Sequence, residues 1–176
     1  MGATGDPDLI ARAVRGDTAA FEELLSSAIV PAARLAYGML QDRAAAEDAV
    51  QEAALNAWRR LGNVRAGAAF RPWFLGIVVN QARSMRRAAW WSVLRLEGSP
   101  SVGASAELVA RGADVRRALL NIPPDQRAAI LLHFYLDLPL DEVAAALGIS
   151  VAGVKSRINR GLKRMRPALR GYEVLG

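Results

Sequence analysis

A chain of 176 residues, 52% apolar and 23% charged, fits one or two small globular domains and excludes bulk disorder. Without cysteine, a secretory leader or an apolar run of about 18 residues, the sequence excludes disulfides and thiolate zinc sites and predicts a cytoplasmic protein without membrane insertion. The net charge of +6 is concentrated in two acid-free segments, residues 53–96 with eight arginines and residues 151–170 with seven lysines and arginines, which indicates polyanion partners.

Apolar residues recur at helical spacing along the chain, and strand-type alternation is scarce. In the N-terminal half this pattern predicts helices over residues 7–15, 18–41 and 43–61, and from Pro72 to about residue 88. Asp17 and Asp42 precede two of these helices as N-caps, and Gly62 follows the third as a stop signal. Pro31 marks a potential kink in the longest helix.

Residues 92–112 are rich in glycine, serine and proline and lack periodicity, which is typical of a linker. Beyond them the pattern predicts four further helices, over residues 113–121, 125–136, 139–147 and 151–169. We therefore predict an all-α protein of two small helical domains, residues 1–91 and 113–176, joined by a flexible linker.

The segment that follows Pro139 indicates a helix-turn-helix, because a short apolar-faced helix stops at Gly148 and Ser150 can cap the next one. At about 100° per residue, the second helix directs five apolar residues inward: Val151, Val154, Ile158, Leu162 and Met165. The outward arc combines small, hydrogen-bonding and cationic groups suited to a major groove: Ala152, Lys155, Ser156, Arg157, Asn159, Arg160, Lys163 and Arg164. A solvated basic face is the alternative, which the mutual repulsion of so many cations disfavours.

Three runs in the C-terminal half are similar to region 4 of bacterial sigma factors: Ile122-Pro-Pro-Asp-Gln-Arg127, Leu140-Asp-Glu-Val-Ala-Ala-Ala-Leu-Gly-Ile-Ser150 and Val154-Lys-Ser-Arg-Ile-Asn-Arg-Gly161. The resemblance implies that this half reads the −35 promoter element and contacts the β flap of RNA polymerase. Gly153 departs from the family, which usually has threonine there, and glycine in a helix costs about 1 kcal/mol relative to alanine.

The predicted helix over residues 43–61 carries an acidic stripe opposite its apolar side. Periodicity buries Val50, Ala53, Ala54, Ala57, Trp58 and Leu61, and turns Asp48, Gln51, Glu52 and Leu55 outward. Such a stripe suits a basic protein surface better than DNA, although an ordinary solvated face is the alternative. Residues 47–61 are similar to the sigma segment that docks on the β′ clamp helices of core RNA polymerase, which implies docking by Asp48, Gln51 and Glu52, with Leu55 adding apolar area.

The run from residue 70 to residue 87 resembles the sigma segment that reads the −10 element, with the preceding loop, residues 62–69, capturing a flipped base. Periodicity turns Phe74, Ile77, Val78, Ala82 and Met85 inward, and Gly76, Asn80, Arg83 and Arg87 outward. The resemblance implies a base contact by Asn80, phosphate contacts by Arg83, Arg86 and Arg87, and further −10 contacts by Arg71 and Trp73. For Trp73, a place in the core is an equal alternative.

Because both halves match in order and region 3 is missing, the chain is identified as resembling the extracytoplasmic-function (ECF) class of the sigma-70 family. The resemblance implies core RNA polymerase, promoter DNA and an anti-sigma factor as partners, and no cofactor. A helix-turn-helix regulator that does not enter polymerase is the alternative, disfavoured by the acidic stripe. An enzyme is a poor interpretation, because His133 is the only histidine and no metal-ligand cluster or glycine-rich phosphate loop is present in the sequence.

Overall fold

The computed structural model describes residues 7–64, 68–93 and 108–169, and every regular element in these ranges is helical. The N-terminal half contains α1 (Pro7–Val14), α2 (Thr18–Leu40), α3 (Arg43–Arg60), a 3₁₀ turn (Leu61–Asn63) and α4 (Phe70–Val93). The C-terminal half contains α5 (Leu108–Leu120), α6 (Pro124–Ile130), a π-helical turn (Leu131–Tyr135), α7 (Leu140–Leu147) and α8 (Val151–Leu169). The all-α prediction is confirmed, and none of the helices in the described ranges has the length and apolar composition to cross a bilayer.

The helices of the N-terminal half begin where short acidic side chains cap them. Asp17 accepts a hydrogen bond from the backbone N–H of Ala20 at 3.1 Å, and Asp42 accepts one from Ala45 at 2.9 Å. Each carboxylate satisfies a backbone donor that the first helical turn leaves without an intrahelical partner. Both predicted caps are therefore confirmed, and α2 runs as one helix across Pro31.

Two helices extend further than the sequence pattern predicts. α4 begins at Phe70 and continues to Val93, and α5 begins at Leu108, so both enter the predicted linker. Proline is tolerated in a first helical turn, which lets α4 begin before Pro72, and residues 77–93 contain no glycine or proline that would stop the helix. Residues 94–107 of the predicted linker lie outside the described residues.

The N-terminal core forms where α2, α3 and α4 pack against one another around a group of aromatic rings. Phe70 and Phe74 stack with ring centroids 5.7 Å apart, and Phe21 meets the edge of Phe70. Trp58 packs on Phe21 at 5.0 Å but remains 36% exposed, so its prediction as a buried residue was wrong. Its ring covers the edge of the core, with the other side in solvent.

The two halves pack directly against each other, through α4 on α7 and α2 on α6, and share one continuous cluster of buried side chains. Two glycines permit this approach. A Cβ atom on Gly76 would collide with the backbone oxygen of Ala146, and one on Gly38 would lie 2.9 Å from Leu131 Cδ1. Gly76 was predicted to face outward, and that prediction was wrong because α7 covers it.

Candidate nucleic-acid interface

The turn between α7 and α8 is built by three successive residues. Gly148 ends α7 with φ of 64°, a left-handed conformation that glycine adopts without the steric cost of a Cβ atom. Ile149 then returns its N–H to the carbonyl of Ala144 at 3.1 Å. The hydroxyl of Ser150 accepts a hydrogen bond from the N–H of Gly153 at 3.1 Å, so the predicted cap of α8 is confirmed.

The face of α8 that points away from the core carries no acid. Of the eight residues predicted to read the −35 element, Arg157 is partly buried and the others are exposed: Ala152, Lys155, Ser156, Asn159, Arg160, Lys163 and Arg164. Arg160 is exposed, and its Nε donates to the carbonyl of Ser156 at 3.3 Å along the helix, a hydrogen bond that does not use the two terminal nitrogens of the guanidinium. Cations, an amide and small groups are thus presented together on one helix, as a groove reader requires.

The buried stripe of α8 differs from the predicted one. Val154, Ile158 and Met165 are buried as predicted, but Val151 and Leu162 are 38% and 37% exposed, so those two predictions were wrong. Gly161 occupies the buried stripe instead, and a Cβ there would lie 2.6 Å from Ile130 Cδ1. Glycine therefore lets α8 lie close to α6 at this position, and the neighbouring Leu162 is left partly exposed.

The face of α4 predicted to read the −10 element is partly covered. Asn80 and Arg87 are exposed, whereas Arg71 and Trp73 are partly buried. The ring of Trp73 lies 5.8 Å from that of Phe70. Trp73 therefore packs against the edge of the core, which is the alternative that the sequence left open.

A single carboxylate connects the two predicted DNA-reading helices. Asp125, at the start of α6, lies 2.8 Å from Arg83 Nη2 on α4 and 3.7 Å from Arg157 Nη2 on α8. Burial lowers the pKa of Arg83; Asp125 raises it in part, and the guanidiniums of Arg157 and Arg87 lower it again. The Arg83 contact is a close ion pair without hydrogen-bond alignment, because Nε and Nη2 of Arg83 are buried without a hydrogen-bond partner among the described residues.

Two further arginines cap helix ends across the contact between the halves. Arg127 is fully buried and donates to the carbonyls of Leu119, Leu120 and Ile122 in its own half at 2.6, 2.7 and 3.0 Å, and to Met39 of the other half at 2.7 Å. Arg86 approaches the carbonyls of Met39 and Leu120 at 3.4 and 3.2 Å. Burial, followed by the charge of Arg86, lowers the pKa of Arg127 to about 9, which keeps the guanidinium charged at neutral pH.

The acidic stripe of α3 lies on open surface. Asp48, Gln51 and Glu52 are exposed, and Leu55 beside them is 50% exposed. On the opposite side, α3 buries only small side chains and one valine: Ala46, Ala49, Val50, Ala53 and Ala57. The four residues predicted to dock on polymerase therefore share one accessible face, separate from the basic face of α8.

Some predicted features cannot be placed. Residues 65–67, in the predicted base-capturing loop, lie outside the described residues. Trp90 and Trp91 belong to α4, but their side chains also fall outside the described part of the chain. The base-capturing role of that loop stays a prediction.

Sequence reasoning missed the importance of Asp125 and Arg127. Both stand in the run from Ile122 to Arg127, which the sequence offered only as a family resemblance. The one local signal is that Arg127 is followed immediately by five apolar residues, an unusual setting for a cation on a solvated face. Its acceptor on Met39 is far away in sequence and has no local signature.

Two family models match the chain, one in each half. Residues 31–92 match Sigma-70 region 2, and residues 113–165 match Sigma-70, region 4. These two regions, in this order, define a sigma-70 family protein. The chain is 34% identical over 168 residues to the ECF RNA polymerase sigma factor SigM of Mycobacterium tuberculosis. The aligned region covers 95% of this chain and 85% of that relative. The chain belongs to the ECF class of the sigma-70 family.

Other relatives agree with this assignment. The ECF RNA polymerase sigma factor SigE of Mycolicibacterium smegmatis is 31% identical over 168 residues, covering 88% of this chain and 64% of that protein. The solved structure of CnrH in complex with the cytosolic domain of CnrY has a TM-score of 0.72 and 26% identity, over 95% of this chain and 98% of that one. The sigma factor RpoE from Bartonella quintana, in complex with the anti-sigma factor NepR, shares the fold with a TM-score of 0.67 at 24% identity, over 85% of this chain and 96% of that one.

Proposed function

We propose that this chain is a sigma subunit that directs core RNA polymerase to a set of promoters and assists their opening. The observation that carries the proposal is the presence of two chemically opposite accessible faces on one chain: the acid-free face of α8, after a helix-turn-helix, and the acidic face of α3. A protein that only binds DNA needs the first face. A subunit that brings a larger enzyme to DNA needs both.

The α8 face is suited to the −35 element as duplex DNA. Its small residue Ala152 permits close approach to a groove, and Asn159 and Arg160 carry groups that pair with base edges. Lys155, Lys163 and Arg164 surround them with charges suited to phosphate. These assignments make α8 the element that selects the sequence.

The α4 face is suited to the −10 element after strand separation. Asn80 is exposed and can pair with a base edge, and Arg87 is exposed two helical turns further along the same face. Arg83 and Arg86 can join them as phosphate contacts only when they leave their acceptors in the C-terminal half. Extracting a base costs a few kcal/mol of stacking, which protein contacts to the base can offset.

The proposed role needs no catalytic group on this chain, since RNA synthesis belongs to the polymerase. The polymerase contacts are expected on the β′ clamp helices, through α3, and on the β flap, through the C-terminal half. An anti-sigma protein is expected as a further partner, and the apolar groove lined by Tyr37, Leu119, Leu131 and Phe134, with a volume of about 330 Å³, offers a place for one. The site of action would be the cytoplasm, where polymerase and DNA are found.

Run-off transcription with purified core polymerase and genomic fragments tests the proposal. We expect transcripts with defined start sites only when the chain is present. Asp48→Arg with Glu52→Arg should abolish both the transcripts and the capture of core polymerase, because two like charges now face the basic docking surface. The same charge change in Glu22→Arg with Glu23→Arg, on the exposed side of α2, serves as the matched control.

Retention of −35 DNA binding by the Asp48/Glu52 variant would separate docking from promoter reading. Normal capture of core polymerase by that variant would refute the docking assignment. The absence of start-site-specific transcripts with the unaltered chain would refute the proposed function as a whole.

A further inference from the structure

A small polar recess lies between the C-terminal end of α3 and the middle of α4. Its volume is about 200 Å³, and it is lined by Asn56 and Arg60 of α3 and by Ile77, Asn80 and Gln81 of α4. All five residues belong to the N-terminal half. The described lining of the polar recess therefore does not depend on how the C-terminal half is placed.

The polar side chains of this recess have no partners within the described part of the chain. Across residues 7–64, 68–93 and 108–169, the amides of Asn56, Asn80 and Gln81 make no hydrogen bond, and the guanidinium of Arg60 makes neither a hydrogen bond nor an ion pair. Asn56 and Gln81 are nevertheless partly buried, whereas Asn80 and Arg60 are exposed. Each amide offers two donors and one acceptor, so three unused amides border one small volume.

A nucleobase has the chemistry that this lining fits. Its flat face can pack on the aliphatic side chain of Ile77, and its edge carries donors and acceptors for the surrounding amides. Asparagine and glutamine pair best with adenine, because the amide oxygen accepts from the 6-amino group while the amide nitrogen donates to a ring nitrogen beside it. Arg60 is exposed and suited to a phosphate, and residues 53–96 contain no acid that would repel one.

The base that enters the polar recess has to be unpaired. In a duplex, the Watson–Crick edge is occupied and both faces are stacked, so the base must leave the helix before a pocket can surround it. The polar recess shares three residues with a neighbouring recess that also contains Asn63. Asn63 belongs to the predicted base-capturing loop, residues 62–69, so a strand held by that loop would pass next to the polar recess.

We propose that the polar recess binds an unpaired adenine of the promoter strand, with Asn56 and Gln81 pairing with the edge of the base and Arg60 holding an adjoining phosphate. The inference rests on the proposed function, because it takes the strand to come from an opened −10 element. It adds Asn56, Arg60 and Gln81 to the residues that read this element. The recess is distinct from the base-capturing loop, so the N-terminal half would hold two bases of one strand.

Single-stranded probes test the inference on the unaltered chain. A short oligo(dT) with one adenine at its centre is compared with the same strand carrying purine, which lacks the 6-amino group, or an abasic site at that position. Fluorescence anisotropy measures the affinity of the chain alone and of the chain bound to core polymerase. We expect the adenine strand to bind about fivefold or more tightly than the other two, the lower end of the discrimination expected from an amide pair.

Substitutions then locate the adenine on the protein. Gln81→Ala and Asn56→Ala should each remove the preference for adenine over purine and leave the affinity for the abasic strand unchanged. Asn121→Ala, the same change at an exposed amide of the C-terminal half, is the matched control and should keep the preference. Arg60→Ala should weaken the binding of all three strands by the same factor and reduce the slope of log K against log salt concentration by about 0.7.

Two results overturn the inference. The first is equal affinity for the adenine, purine and abasic strands, both with the chain alone and with core polymerase. The second is an adenine preference that survives in both Gln81→Ala and Asn56→Ala, which would place the base elsewhere. The purine comparison uses the unaltered chain, so a variant that fails to fold does not decide the outcome. Run-off transcription reports the proposed function separately: transcripts without adenine preference refute the recess alone, and absent transcripts refute the function whatever the probes show.

Discussion

The two helices with acid-free basic faces, α4 and α8, are in opposite environments. On α8, Lys155, Arg160 and Lys163 are exposed to solvent. On α4, Arg83 is paired with Asp125, and Arg86 is directed at carbonyls of Met39 and Leu120. The same sequence signature therefore yields one surface ready for a polyanion and one that is occupied within the molecule.

Whether the cationic face of each helix is covered or exposed depends on the elements that pack against the helix. The residues of the helix itself do not determine it. α8 packs on α6 through Gly161 and keeps its cations on the far side. α4 has core on one side, in α2 and α3, and receives α7 on part of the other. A charge count predicts that a helix is attractive to DNA, but only tertiary contacts decide whether DNA can reach it.

The largest expected difference between a covered and an exposed arginine is in the contribution of each to the free energy of unfolding. Arg127→Met should lower the free energy of unfolding by about 2 to 4 kcal/mol, because it removes four short hydrogen bonds to carbonyls, of which Arg86 reaches only those of Met39 and Leu120, at the longer distances of 3.4 and 3.2 Å. Arg160→Met, the same substitution on an exposed residue, should change it by no more than about 0.5 kcal/mol. Urea unfolding followed by far-UV circular dichroism measures both.

Equal free energies of unfolding for the two methionine variants would contradict the expectation that the covered Arg127 contributes more stability than the exposed Arg160. It would mean that the cost of burying the Arg127 charge cancels the benefit of its four hydrogen bonds, as happens for some buried ion pairs. The covered arginines would then contribute specificity of packing without net stability.

Local chemistry made much of the fold predictable. The caps at Asp17, Asp42 and Ser150 each depend on a donor three residues away, so the sequence contains all the information needed. The α8 stripe was only partly predictable, because periodicity assigns Leu162 to the core and gives no weight to Gly161, which has no side chain to bury.

The environment of α4 could not be predicted from its own residues. Gly76 and Arg83 have the spacing of an outward face, and on that face they meet residues of the C-terminal half. What covers them, Ala146 and Asp125, belongs to the other half and lies far along the chain. Periodicity identifies the side of a helix that leaves its own core, but it does not reveal a second core that meets that side.

A smaller effect is expected for promoter reading by α8. Arg160→Ala should weaken binding to duplex −35 DNA by about 1 to 3 kcal/mol and relax the sequence preference at one position, because Arg160 is exposed and can pair with a base edge. Fluorescence anisotropy with a set of single-substitution duplexes measures both. Arg15→Ala, an exposed cation beyond the end of α1, is the charge-matched control. Equal weakening on every duplex would reassign Arg160 to a phosphate.

The smallest effect sharpens the contrast between an exposed and a covered cation. Lys163→Ala should weaken the binding of duplex DNA by the same factor for every sequence. It should also reduce the slope of log K against log salt concentration by about 1, as expected for one lost phosphate contact. Arg83→Gln should leave that slope almost unchanged in the unaltered background, because Arg83 already pairs with Asp125. In the Asp125→Asn background the Arg83 substitution should reduce the slope as Lys163→Ala does. An equal reduction by Arg83→Gln in both backgrounds would mean that α4 is as open to DNA as α8.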